Sequence, residues 1–282
     1  MPAWAAFLGL TVLTLGVVLA FARRSADSID QFAPTDAPTT ESTAIPPDDS
    51  SALFPRNATT NRPESPEPVL RNPDATTDSE SKREPDIVLT PVAMMANVAF
   101  TQGVILFGLV LSAWYFDIPA DAFGSGIGTG GGAAVVVGVG FGIVLWGANE
   151  LSTTVADAVG AAYDERVREL LAPESIGGWI ALFGVVLPII AVSEELLFRG
   201  ALIGVPEMGF GLNVWVLAFL SSLAFALGHG AQGRVGVVVT GALGLVLAGG
   251  YVVTGSLLIV IVAHYVINAL EFAVHELPAI SI

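Results

Sequence analysis

Residues 177–200 read "GGWIALFGVVLPIIAVSEELLFRG". The run up to Val192 carries no charge and suits the inside of a bilayer, yet Glu194, Glu195 and Arg199 follow within the same segment. Each ionisable group costs ~2.5 to 3.5 kcal/mol at the centre of a membrane helix even on the mildest insertion scale, so such residues face a protein interior or a wet cavity and mark function. The stretch therefore reads as a membrane-spanning helix with a polar site built into it.

The rest of the chain agrees. Of its 282 residues 53% are hydrophobic and 13% charged, the latter about half the share of a soluble domain, and the mean hydropathy is +0.71. The 31 glycines suit helices whose backbones approach closely in a membrane. The expected fold is thus an all-α polytopic membrane protein, multi-pass in the cell membrane, with membrane lipids as its surroundings. The absence of cysteine removes disulfides, thiolate metal ligands and a cysteine nucleophile together. A formal charge of -15 argues against a nucleic-acid partner.

Three regions follow from composition. Residues 1–22 contain "AWAAFLGLTVLTLGVVLAFA", close to the ~20 apolar residues that span a bilayer. Arg23 and Arg24 come after this run and no basic region precedes it, so a retained helix is expected rather than a signal peptide. Residues 23–87, rich in Pro, Ser, Thr, Asp and Glu, bury too little apolar surface to offset chain entropy and read as a disordered acidic linker. Residues 88–282 form the core, with helices expected near 92–116, 132–150, 177–203, 212–230, 235–253 and 256–275. With the N-terminal helix, separated from this six-helix core by the linker, the total is about seven. Residues 151–175 show three-to-four spacing of apolar positions and are expected as an amphipathic helix on the membrane surface. "GVPEMGFG", residues 204–211, is expected to turn. Arg23, Arg24, Arg166, Arg168 and Arg234 fall on one side in this scheme, which the positive-inside rule makes cytoplasmic.

Two of the three histidines also sit in apolar runs: His229 in "AFALGHG" and His264 in "VAHYVINAL". Asn268 shares the helical face of His264, and Glu271 continues it one turn later. Glu195 and Arg199 are four apart with the acid first, the favourable order for a pair. Glu194 is rotated by about 100° from Glu195 and points elsewhere. Counted from the nearest chain breaks, Glu194, His229 and His264 lie roughly 15, 25 and 12 Å from one membrane face, inside a ~30 Å hydrocarbon core. They are expected to converge on one cavity. Each alone has a bland reading as a packing histidine or a structural ion pair. Four costly groups on three helices at compatible depth are harder to explain that way. Glu150 and Glu271 read as interfacial and His275 as inert.

These strings carry a resemblance. Glu194-Glu195-x-x-x-Arg199, Phe225-x-x-x-His229 and His264-x-x-x-Asn268 resemble the three motifs of the CPBP family, the CAAX protease and bacteriocin-processing (Abi or Rce1-like) intramembrane proteases, over residues 90–275. The resemblance implies hydrolysis of a peptide bond in the membrane by a glutamate-activated water. The residues suit that chemistry: Glu194 as general base, His229 sharing the water and later protonating the amine, and His264 with the Asn268 amide stabilising the oxyanion. Arg199 would neutralise and orient Glu195, and Phe225 would pack on His229. Partners would be a membrane-bound protein or peptide substrate, such as a prenylated tail. Metal stays open: family members are commonly called metalloproteases, and His229 and His264 with Glu194 or Glu195 would make a three-ligand zinc site, whereas "HELPAI" at His275 lacks a second histidine for His-Glu-x-x-His. The metal-free mechanism is slightly preferred. A proton- or ion-coupled transporter is the alternative of a different class, and an inactive scaffold a third. Against the transporter, the ionisable groups gather in one layer and the halves show no repeat.

Overall fold

The computed structural model describes residues 1–31, 90–124, 131–158, 160 and 166–277. Almost all of the expected linker lies outside the described residues. The described chain is helical: α1 Trp4–Gln31, α2 Pro91–Tyr115, α3 Gly131–Ala158, a short α4 Arg166–Leu171, α5 Ile176–Phe210, α6 Val214–Gly228, α7 Gly233–Thr254 and α8 Leu257–His275. Short 3-10 turns occupy Ala120–Phe123 and Gly230–Gln232.

Six of these are long and apolar enough to cross a bilayer, and many large apolar side chains, Phe100, Phe107, Val136, Val144 and Phe219 among them, point outward. The protein is a multi-pass membrane protein. The seventh expected helix, α6, is present but has only 15 residues, about 22 Å of rise and short of a ~30 Å core. Glycines explain its early end. Gly228 and Gly230 flank His229, and Gly233 takes a φ of 73°, so the chain turns through Gly230–Gln232 straight into α7. His229 therefore sits at a helix end, not in mid-helix.

The turn expected at 204–211 is a second difference. The helix runs on to Phe210, and only Gly211, with a φ of 67°, ends it. Pro206 is tolerated because it is second in the segment Val205–Phe210, directly after a π-helical stretch, Leu196–Gly204. There the i→i+4 ladder that proline breaks has already been replaced by wider bonds. Pro188 follows a second π-helical stretch, Leu182–Val186, in the same way. The amphipathic surface helix expected over 151–175 is also not one element. Residues 151–158 prolong α3, and α4 forms separately after residues that are partly undescribed.

Packing fixes the helices that carry the polar groups. Gly138 and Gly142 on α3 lie against α8 so closely that a Cβ on either would stand 2.7 Å from Val262 or Val266. Small residues at four-residue spacing let two membrane helices meet backbone to backbone. On the other side, α1 joins the same compact unit despite its distance in sequence. Phe7 is fully buried and meets Phe123 edge-on at 5.8 Å. Its cluster continues through Phe198 to Phe225, whose rings cross at 88° and 5.0 Å.

Candidate active site

A cavity of about 300 Å³ opens among α2, α5, the α6–α7 turn and α8, and Glu194, His229, His264 and Asn268 all line it. Glu195 and Arg199 do not. The adjacent glutamates part because successive helical residues diverge by about 100°. One faces the cavity, and the other is driven into the protein behind it.

That inner glutamate is fully buried, as is Arg199. Arg199 Nη1 donates to Glu195 Oε1 at 3.0 Å, Nη2 donates to the Gly244 carbonyl on α7 at 2.9 Å, and the guanidinium carbon lies 4.7 Å from the centre of the Phe225 ring. One side chain thus ties α5 to α6 and α7. Gly244 has to be small for this: a Cβ there would stand 2.9 Å from Phe225.

Glu195 Oε1 also meets His264 Nδ1 at 2.7 Å. A carboxylate paired with Arg199 only accepts, so Nδ1 donates and the other nitrogen is directed outward. His264 Nε2 lies 3.7 Å from Glu194 Oε2. The sealed ion pair therefore orients the imidazole, and the imidazole faces the cavity-lining glutamate. His229 is oriented differently. Its Nδ1 stands 2.8 Å from the Phe225 carbonyl, an acceptor, so Nδ1 again carries the proton and Nε2 stays open. The Phe225 ring packs on it at 4.4 Å and turns its edge to His264 at 6.1 Å. Phe225 thus contacts Arg199 and both histidines, more than the single packing role expected of it.

Glu194 is held by residues the sequence reading missed. Gln102 Nε2 on α2 donates to Glu194 Oε1 at 2.9 Å, and Ser193 Oγ donates to Gln102 Oε1 at 2.7 Å. The available signal was a carboxamide in the largely apolar run of α2. Gln232 and Thr240 add polar groups to the cavity next to His229, joined by a 2.6 Å bond from the threonine hydroxyl.

The residues set aside as interfacial or inert also come together. His275 Nε2 lies 2.8 Å from Glu150 Oε1, Asn149 Nδ2 donates to Glu271 Oε1 at 3.3 Å, and Arg168 bridges Glu271 and Glu276. Asn149, Arg168 and Glu271 border the cavity at the foot of α8.

The residues expected to hold zinc do not form a converged three-donor set. Among the described residues, the three-donor set with atoms within 4.8 Å of one another is Glu150, Glu271 and His275. His229 and His264 form no such set with Glu194 or Glu195, while the bonds at Nδ1 of both rings leave each Nε2 directed away from those partners.

A family model described as Rce1-like, type II CAAX prenyl endopeptidase Rce1-like, matches residues 176–270. No curated protein and no solved structure matches the chain. The matched segment runs from α5 into α8 and contains every residue of the three motifs.

Proposed function

We propose, for a chain whose α5–α8 segment belongs to the Rce1-like family of CAAX-type intramembrane endopeptidases, that the cavity hydrolyses a peptide bond of a membrane-bound protein or peptide, with Glu194 activating the water. The family supports a protease acting inside the membrane. The carrying observation for the finer reading is the division of labour between the paired glutamates: Glu195 is sealed with Arg199 behind His264, while Glu194 faces His264 Nε2 across the cavity.

In this reading a water between Glu194 and His229 loses a proton to the Glu194 carboxylate as its oxygen bonds to the scissile carbonyl carbon. The C=O π pair moves onto the carbonyl oxygen. The Asn268 amide donates to that oxyanion, and His264 donates from Nε2 when its ring is doubly protonated, since Nδ1 is committed to Glu195. Collapse of the intermediate restores the carbonyl and breaks the C–N bond. The amine departs with the proton taken up from water, delivered by Glu194 or through His229. Positioned donors matter more here than in water, because the apolar walls keep the local dielectric low.

The apolar walls of the cavity, Leu182, Leu187 and Phe272 among them, accord with a lipid-bearing tail, and the polar end at Gln232 and Thr240 with a peptide backbone. The test is to incubate the detergent-purified protein with a prenylated CAAX-type tail peptide and map the products by mass spectrometry. One cut near the C-terminus, abolished by Glu194→Gln, supports the reading. Cleavage retained by that variant overturns the general base.

A further inference from the structure

The matched family segment, residues 176–270, leaves out α2, yet α2 supplies Gln102, whose side chain bonds to Glu194 Oε1. We infer that Gln102 is a positioning residue: supported by Ser193, its carboxamide clamps one oxygen of Glu194 so that the other faces His264 and the cavity. The inference deepens the reading above, resting on Glu194 as the base.

The direction of the clamp follows from donor and acceptor chemistry. A carboxylate only accepts, so the Gln102 group against Glu194 Oε1 must be its NH₂, and its carbonyl must then face Ser193. Ser193 is fully buried and its hydroxyl donates its one proton to that carbonyl at 2.7 Å, the Ile190 carbonyl at 3.1 Å being the alternative acceptor. The reversed amide would set its carbonyl against a carboxylate. The Glu194 carboxylate thus selects the orientation of Gln102, and Ser193, the residue just before it on the same helix, supports the carbonyl end while Gln102 reaches in from α2.

The consequence for Glu194 is a fixed rotamer. With Oε1 held at 2.9 Å by Gln102, Oε2 is the oxygen 3.7 Å from His264 Nε2. Glu195 needs no such clamp because Arg199 and His264 already hold it. Glu194 borders the cavity and, without the Gln102 bond, would sample several rotamers. Misplacing a reacting group by about 1 Å can cost ~100-fold in rate.

Two substitutions and two readouts test the clamp. Gln102→Met keeps the length of the side chain and removes both hydrogen bonds. With a prenylated tail peptide as probe, kcat should fall ~10- to 100-fold with KM unchanged. Ser193→Ala leaves the Gln102–Glu194 bond possible but unsupported and should lower kcat by about two- to tenfold. The double variant should be no worse than Gln102→Met alone, because the serine acts only through the glutamine. Independently of any substrate, infrared spectra should show a carboxylate band that Glu194→Gln lacks and that shifts in Gln102→Met. An unmoved band, an unchanged kcat, a rise in KM alone, or fully multiplicative losses in the double variant would each overturn the clamp. Should wild type leave the peptide uncut, the hydrolytic reading of this substrate fails, and the infrared comparison still decides the clamp. If Gln102→Met does not fold, Ser193→Ala carries both measurements.

Discussion

Replacing Arg199 with alanine should unfold the centre of the molecule before it informs on chemistry. The substitution removes the 3.0 Å bond to Glu195, the 2.9 Å bond to the Gly244 carbonyl and the contact with Phe225 at 4.7 Å. Glu195 Oε2 is already without a hydrogen-bond partner, so the buried carboxylate would keep only His264. Breaking a buried pair from one side costs ~3 to 5 kcal/mol, chiefly the desolvation of the charge left behind. At 2 to 4 °C per kcal/mol for a chain of this size, the thermal midpoint in detergent should drop by roughly 6 to 20 °C. Glu195→Gln combined with Arg199→Met removes both charges and should recover most of that loss, since apolar replacement of a buried pair is often close to neutral. Turnover should not recover, because His264 has lost the carboxylate that orients it. A single variant as stable as the parent, or a double variant as active as the parent, would refute the assignment of this pair as the anchor of His264.

Glu194→Gln should abolish peptide cleavage while leaving the thermal midpoint near that of the parent, as an amide keeps the shape and still meets Gln102; activity and unfolding scans on the same preparation check both halves. Asn268→Ala should lower kcat by roughly 10² to 10³ with KM little changed, measured with the same tail peptide. Gly142→Leu should push α8 off α3, since even a Cβ there would lie 2.7 Å from Val266, and both stability and turnover should fall although the residue is not at the cavity. Elemental analysis of the parent and of His264→Ala, with activity after chelation, addresses metal: the proposed glutamate–water mechanism predicts activity that survives chelation, and stoichiometric zinc lost with His264 and required for turnover would reverse that.

The helices were legible because membrane spans are long apolar runs, and the motif residues because charge in such runs is costly. What misled was local punctuation. "GVPEMGFG" contains the residues of a turn, but the π-helical stretch Leu196–Gly204 lets Pro206 enter without a broken bond. Hydropathy cannot register such a stretch. Conversely "GHGAQG" reads as apolar enough to continue a helix, and its glycines end α6 at 15 residues. Gln102 escaped for another reason: a single neutral carboxamide has little weight in a hydropathy pattern, and its partner lies 92 positions away. The meeting of Glu150 with His275 across 125 positions is likewise a tertiary fact.

The answer to why three ionisable groups stand together in an apolar helix lies in their unequal surroundings. Arg199 and Glu195 are opposite charges at 3.0 Å with no exposure, an arrangement that contributes little net stability compared with apolar residues of the same size. Its persistence is better explained by geometry. Arg199 reaches α7 through Gly244 and touches Phe225 on α6, and Glu195 reaches α8 through His264, so three helices are held in register about one residue pair. Phe225 then transmits that register to His229 through ring contact and through its carbonyl. Glu194 is the one member left facing the cavity, and a carboxylate there is useful only if the rest do not move. The π-helical stretch begins at Leu196, directly after the two glutamates, and contains Arg199; such stretches are common at functional sites. Local irregularity of the backbone and costly charge thus coincide at the same turn, and together they argue that α5 is shaped around the site rather than merely passing it.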